Sequence, residues 1–368
     1  MYSDNKAKAI RAYMNDNGMD AVLLTSPRNV QWYSGLNAAD SFVIIFRDKQ
    51  YYITDFRFID HIKNTIKGLE PLKSVAFERM GIISELTADH NAKSLGIEFK
   101  HVTLLQKQKY DEQLDLELMP VDDIVYKLRQ IKTEEEIAGM RRGAEITEKA
   151  FLNAVSKMKP GVSEQDIYAE ILYSIHKQGA EPSFPPVVAF GRNTGEPIWT
   201  PSSARLQEHD WAMIDMGVRL DSGCTDFTRT ISVGGLEEKR ELIYNIVRSA
   251  NDAAFEAIAP GVSAKAVDKA ARDVIEAAGY GNCFEYATGH GVGYSVHELP
   301  RMLHSEIPLE IGNVVTIEPG IYIRGSFGAR AEDMVVVTEN GCESFYTLSK
   351  DLVGEFTSVK RIYHLKRK

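Results

Sequence analysis

Cysteine is scarce in this chain, with three in 368 residues, Cys224, Cys283 and Cys342. They are dispersed and odd in number. That excludes a disulfide framework and a Cys-x-x-Cys metal site, and it points to a reducing cytoplasm. Long apolar runs are missing too. No stretch approaches the roughly 18 apolar residues that a membrane span needs. The opening MYSDNKAKAIRAYMNDNGMD lacks the apolar core of a secretory leader. Positive charge is in deficit: 43 Lys and Arg against 52 Asp and Glu leave a net charge of −9. This argues against a nucleic-acid binder held by bulk electrostatics. The basic tail KRIYHLKRK reads as a solvated chain end. What is present, 44% hydrophobic and 26% charged residues, is the composition of a globular chain, not a disordered one. At about 100–200 residues per domain, two domains are expected.

Residues 1–127 read as a small α/β domain. A helix is expected over 6–17, ended near Gly18, with β-rich runs AVLLT (21–25), SFVIIF (41–46), YYIT (51–54) and LGIEF (95–99). The charged connector LRQIKTEEE leads into a second domain over 133–360. Thr133 and Glu136 form a capping box for a long helix. Apolar Ile137, Met140, Ala144, Phe151 and Val155 lie along one face, and Pro160-Gly161 is expected to stop it. Ser163 and Asp166 open a further helix, running to Gly179. The motif PGVS stands at 160–163 and again at 260–263, with Gly179 and Phe184 matched at the same shift by Gly279 and Phe284. Farther on, AMIDMG (212–217) answers VTIEPG (315–320). The consistent order implies an internal duplication, and hence an α+β domain with a pseudo-two-fold axis.

Two acid-bearing hairpins stand out. In 211–233 a turn is expected near 220–223. Asp215 and Asp226, 11 apart, should then face each other across the ladder. In 314–337 the run Gly-Ser-Phe-Gly at 325–328 is a turn signal, and Glu318 and Glu332 are centred on Gly325. Four acids on otherwise apolar strands would repel and resist ionisation unless protonated or bound to cations. Two divalent ions would cancel four negative charges. Oxygen donors with one imidazole suit manganese, cobalt, iron or zinc. Acids at solvent-facing strand ends are the plain alternative, and two matched pairs favour the metal site over it. The imidazole is available in TGHGVGYSVHELP (288–300), where His290 and His297 lie seven apart.

These segments, IDMG, TDFTRT, GHGVG, VHELP, TIEPGIY and ARAED, resemble the M24 metallopeptidases: methionine aminopeptidase, Xaa-Pro aminopeptidase and Xaa-Pro dipeptidase. The stretch YITDFRF (52–58) is similar to the amino-terminal domain of the creatinase/prolidase branch. The gaps between the acids and the histidine, 11, 64, 28 and 14, look like those of the Xaa-Pro enzymes. The resemblance implies a pita-bread catalytic domain behind a smaller creatinase-type α/β domain. It implies two divalent metal ions, manganese first, with cobalt, zinc or iron as alternatives. Asp215, Asp226, His290, Glu318 and Glu332 would be the ligands, Asp226 and Glu332 bridging both ions. A hydroxide held between the ions would be the nucleophile, Glu318 would move its proton, and His297 would donate to the tetrahedral intermediate. Thr228 and Arg330 would hold the ligand carboxylates. The substrate would be a proline-containing peptide or another small molecule, and the enzyme a cytoplasmic homodimer with no nucleic-acid or membrane partner.

One position departs from the pattern. The peptidases carry a further histidine in a P-H-x-x-P context on the strand before the first acid hairpin, whereas NTGEPIWTPSSARL (193–206) has Ile198 there, with Trp199 beside it as a pocket or core residue. An aliphatic side chain neither donates a hydrogen bond nor carries a proton. The change admits a different substrate: a non-proline dipeptide, a small amide, a modified amino acid, or lyase chemistry. A non-enzymatic recognition module is disfavoured, because all five ligand positions are filled. Cys224, two residues before Asp226, is read as a small buried core residue, with thiol ligation as the minor alternative.

Overall fold

In a computed structural model, the protein is described for residues 4–350 except 37, 76, 77, 222, 236 and 304. The tail from 351 on, including the last ten residues expected in the second domain, lies outside the described residues. The chain divides into two compact units, Met1–Arg129 and Gln130–Lys368.

The first unit is built on a six-stranded sheet. Its order is Glu70–Lys73, Gln50–Thr54, Phe42–Phe46, Ala21–Leu24, Ser94–Ile97, Glu117–Pro120. Ala21–Leu24 pairs antiparallel with Phe42–Phe46 and parallel with Ser94–Ile97. All four of its side chains are buried, which is why the segment reads as an unbroken apolar run and not an alternating one.

The second unit opens with the helix Glu134–Val155. Thr133 Oγ1 accepts from Glu136 N, and the Glu136 carboxylate accepts from Thr133 N. The helix ends before the expected Pro160 stop. Lys157 N donates to Ala154 O and Met158 N to Val155 O, closing the helix in tight turns, and beyond them Gly161 N donates to Leu206 O and Leu206 N to Val162 O. Ser163 then caps Glu164–Lys177 in a second capping box with Asp166.

The duplication is visible in the hydrogen bonds. Gly261 N donates to Leu309 O, and Leu309 N to Val262 O. Glu164 N and Gln165 N donate to Ala204 O and Ser202 O; Ala264 N and Lys265 N donate to Ile307 O and Ser305 O. The matching segment 197–217 is thus repeated at 300–320, the later chain having gained a few residues over the helical shift. Glu134–Val155 and Glu164–Lys177 cover an antiparallel sheet of Val187–Phe190, Trp211–Met216 and Phe227–Ser232. Glu238–Ala257 and Ala264–Ala277 cover the sheet that contains Val314–Ile317 and Asp333–Thr338. The first core holds Met140, Phe151, Ile171, Ile214 and Phe227. The second holds Val247, Val267, Ile275, Ile317 and Val335. Strand alternation does the rest. Ile214 and Met216 point into the first core, so Asp215 points the other way, alongside Met213 beneath the opposite face.

Candidate metal centre and substrate pocket

Carboxylate oxygens of Asp215, Asp226 and Glu332 lie within 4.8 Å of one another. Asp215 is on the strand Trp211–Met216, and Asp226 immediately precedes Phe227–Ser232. The two do not sit directly opposite, as the acid spacing suggested. Asp215 pairs with Thr228, and the same register continues through Arg219 and Cys224. The turn is therefore centred one residue later than the acid midpoint, which offsets Asp226 by two residues and leaves it diagonal to Asp215 on the same face. Glu318 and Glu332 do face each other. Ile317 pairs with Asp333 and Gly320 with Arg330, so the ladders on both sides of the acids share one register. Glu332 also bridges to Thr228, which joins the two halves.

His290 and Glu318 lie at the margin of the triad. His290 Nε2 is 3.3 Å from Glu318 Oε1 and 3.6 Å from Asp226 Oδ2. The glycines around His290 are steric requirements. A Cβ at Gly289 would stand 1.9 Å from Thr316 O, and one at Gly291 would stand 2.1 Å from Leu299 O. His297 stacks edge-on against His290, ring centroids 4.3 Å apart, and opens into the cavity.

Arg330 organises the acids. Its Nη2 donates to Asp215 Oδ2 at 2.5 Å, its Nε to Thr228 Oγ1 at 3.0 Å, and its Nη1 to Pro197 O at 3.0 Å and Tyr322 Oη at 2.6 Å. Thr228 Oγ1 in turn donates to Glu332 Oε2 at 2.6 Å. From behind, Arg229 Nη1 donates to Glu332 O at 2.6 Å, and Tyr346 Oη to Asp226 O at 2.6 Å.

Two acid oxygens remain bare. Asp215 Oδ1 and Glu332 Oε1 are buried with no hydrogen-bond partner among the described residues. A buried carboxylate oxygen left unsatisfied is costly, and a cation is the partner that acidic oxygens lack here. The electrostatics agree. Burial, with the charge of Glu332 and Asp215 next, pushes Asp226 well up from the ordinary carboxylate range. Burial and the charges of Glu318 and Asp215 do the same to Glu332. Burial also raises Asp215, against the pull of Arg330. Burial opposes ionisation of Glu318 as well, yet the hydrogen bond and charge of His290, with Arg330 and Thr316, hold it below its usual value. A set of hard oxygen donors with one imidazole fits divalent cations.

Cys224 is buried in the first core, its thiol 3.9 Å from Tyr294 O, and it is not among the clustered metal-capable groups described. Ile198 is not on a strand; it lies in the irregular loop after the short helix Gly191–Gly195. Pro197 and Pro201 there lack the N–H groups a ladder needs. Its side chain is 85% exposed, in a cavity of about 1280 Å³ whose wall includes Phe184, Pro186, Trp199, His297 and the acids.

Three functional candidates escaped the sequence reading. Tyr286 and Tyr322 share a hydrogen bond of 3.1 Å beside Glu318 O, to which Tyr286 also donates. Arg301 lines the cavity with its side chain exposed. It is the counterpart of Ile198 at the same shift that relates Asp215 to Glu318, so the repeat, carried a little farther, would have pointed to it.

Comparison with known proteins identifies the family. Residues 138–339 match the model of metallopeptidase family M24, and residues 6–131 match the creatinase/prolidase N-terminal domain. The chain is 34% identical over 346 residues to an Xaa-Pro dipeptidase of Pyrococcus furiosus, covering 93% of this chain and 97% of that one. It is 36% identical to an uncharacterised peptidase of Bacillus subtilis, covering 95% and 99%. Among solved structures, an Xaa-Pro dipeptidase from Bacillus anthracis superposes with a TM-score of 0.92 at 32% identity, covering 95% and 99% of the two chains. An X-Pro aminopeptidase from Thermotoga maritima superposes at 0.86 with 30% identity, covering 94% and 98%. A duplicated pita-bread domain that gathers acids about its axis, behind a creatinase-type amino-terminal domain, makes this chain a hydrolytic enzyme of metallopeptidase family M24.

Proposed function

We propose that the enzyme cleaves the bond between an amino-terminal residue and a following proline in short peptides, dipeptides foremost. Asp215, Asp226, His290, Glu318 and Glu332 would hold two divalent cations. The observation that carries this reading is the pair of bare, buried oxygens on Asp215 and Glu332, members of a cluster of three acids whose carboxylates approach within 4.8 Å of one another. Bound divalent cations supply Lewis acidity and make a water nucleophilic at neutral pH. Manganese is our first choice, and cobalt, zinc or iron would suit the same donors. Glu318, held below the ordinary carboxylate range beside His290 in the metal-free fold, would be the base that takes the proton of the attacking water and delivers it to the departing nitrogen. His297 donates to the carbonyl oxygen as that atom gains charge. Arg330 and Thr228 keep Asp215 and Glu332 aimed inward. The apolar wall of Phe184, Pro186 and Trp199 suits a proline ring, and the exposed Arg301 guanidinium suits the free carboxylate that follows it in a dipeptide.

The test is hydrolysis of Xaa-Pro dipeptides, Xaa-Pro tripeptides and Xaa-Ala dipeptides by manganese-reconstituted protein. Cleavage of Xaa-Pro substrates is expected. A protein that binds no divalent metal would overturn the reading. One that binds metal but is silent on every peptide would favour a second reading motivated by Ile198: the same metal chemistry on a small amide or modified amino acid.

A further inference from the structure

We propose that Glu164, far from the acids in sequence and absent from the chemistry above, is the positioning residue that fixes the pocket wall carrying Ile198 and Trp199. Its side chain is 0% exposed. It stands at the first position of the helix Glu164–Lys177, where an acid ordinarily faces solvent and complements the helix dipole. Here it turns inward. One oxygen accepts from Phe190 N at 2.8 Å and Asn193 Nδ2 at 2.8 Å. The other accepts from Trp199 Nε1 at 2.9 Å, Ser202 N at 2.8 Å and Ser202 Oγ at 2.6 Å. A carboxylate has about four lone-pair positions, so both oxygens are saturated by donors from the end of the strand Val187–Phe190 and the loop that follows it.

The internal repeat separates this role from simple folding. Ala264 occupies the same place in the second half, and that half closes its helix start with the same backbone bonds, Ala264 N to Ile307 O and Lys265 N to Ser305 O. The helix and its bridge therefore form without a carboxylate. What differs is the loop that must be held. It has lost the ladder pairing that the matching strand Glu298–Arg301 keeps, and Glu164 supplies the acceptors that a neighbouring strand would. From the far side, Arg330 donates to Pro197 O, so the wall is fixed between Glu164 and the residue that aims Asp215. The consequence for substrate rests on the peptidase reading above; the clamp itself does not.

The decisive variant is Glu164→Gln, which keeps the shape but turns an amide NH2 toward donors. Trp199→Phe removes one donor and leaves the acid in place. Hydrogen exchange of the amides of 190–203, manganese affinity, and KM and kcat on an Xaa-Pro dipeptide are compared with Ile275→Val, a core change in the other half. We expect at least tenfold faster exchange at Phe190 and Ser202 in Glu164→Gln. KM should rise about five- to tenfold with kcat changed less than threefold, and manganese affinity should stay within twofold. Trp199→Phe should shift KM in the same direction by less, and Ile275→Val should not shift it. Unchanged exchange in Glu164→Gln overturns the clamp whether or not any peptide is cleaved. Faster exchange with unaltered KM on a cleaved peptide overturns the link to substrate. Absence of cleavage by the parent enzyme counts against the peptidase reading alone, the exchange result then deciding the clamp.

Discussion

Thr228→Val is the sharpest probe of how the acids are held. The change is nearly isosteric and keeps a β-branched side chain on its strand, so shape and strand preference are preserved. It deletes one hydroxyl, fully buried, that donates to Glu332 Oε2 at 2.6 Å and accepts from Arg330 Nε at 3.0 Å. Both partners are charged, and a hydrogen bond to a charged group contributes roughly 1.5–3 kcal/mol. Glu332 keeps its place through the backbone bridge to Thr228, which the substitution leaves intact, so the loss falls on orientation and not on location. Removing a partner that orients a metal ligand typically costs 10–100-fold in affinity, or about 1.4–2.8 kcal/mol at 1.4 kcal/mol per decade. We expect manganese affinity, read by calorimetric titration, to fall by that factor, and the metal-free protein to lose about 1–3 kcal/mol through the unpaired Arg330 Nε. Affinity within twofold of the parent, with an unchanged melting temperature, would refute the idea that this hydroxyl aims Glu332.

The remaining expectations concern charge and substrate. Asp215, Asp226 and Glu332 have pKa values raised in the metal-free fold; the stability they contribute is complete below the ordinary carboxylate pKa, about 4, and is lost as pH rises through their elevated values. Glu318, held low, has the opposite sign, one group against three. Since metal binding needs the carboxylates deprotonated, the thermal stabilisation by manganese should grow as pH rises above the ordinary carboxylate pKa of about 4; a constant gain in differential scanning fluorimetry would contradict it. Arg301→Ala should raise KM for an Xaa-Pro dipeptide about tenfold or more but leave the corresponding dipeptide amide nearly unaffected, as expected for a lost charge-assisted pair; equal effects on both would show that the guanidinium does not read the carboxylate. Ile198→His should increase kcat/KM on Xaa-Pro dipeptides about tenfold or more if a donor is wanted there, and no gain would mean that the apolar side chain is not what limits peptide turnover.

The legible and illegible parts of the site follow from the range of the interactions that make them. The capping boxes at Thr133 and Ser163 involve residues three apart, and both are present. The gathering of three acids, with Glu318 at their margin, was readable because a hairpin converts spacing into proximity, and because the repeat supplies an acid pair twice. The error over Asp215 and Asp226 was of one residue in a turn centre, the quantity least determined by spacing when the turn residues are Leu, Asp and Ser with a glycine. The helix expected to stop at Pro160 ends at Val155, in tight turns at Lys157 and Met158 that no proline or glycine marks. Arg301 was within reach through the repeat, as the counterpart of Ile198, whereas Glu164 and Tyr322 lay beyond it. A glutamate at a helix start and a tyrosine in a strand each have an ordinary local explanation, and only the long-range closure of the loop 190–206 gives them another.

That closure suggests how one fold can keep its reaction while changing what it acts on. Asp215 and Glu318 are bound to strands whose register is shared by two ladders, so moving either acid would disturb a core on its opposite face. Ile198 and Arg301, their neighbours by the same repeat, stand on irregular or edge segments with exposed side chains. Substitution there alters the pocket at little expense to packing. The pseudo-two-fold axis thus carries acids at its centre, where geometry is over-determined, and unlike residues at its rim, one apolar and one cationic. A substrate that is apolar toward one half and anionic toward the other fits this asymmetry, which an enzyme with identical halves could not offer.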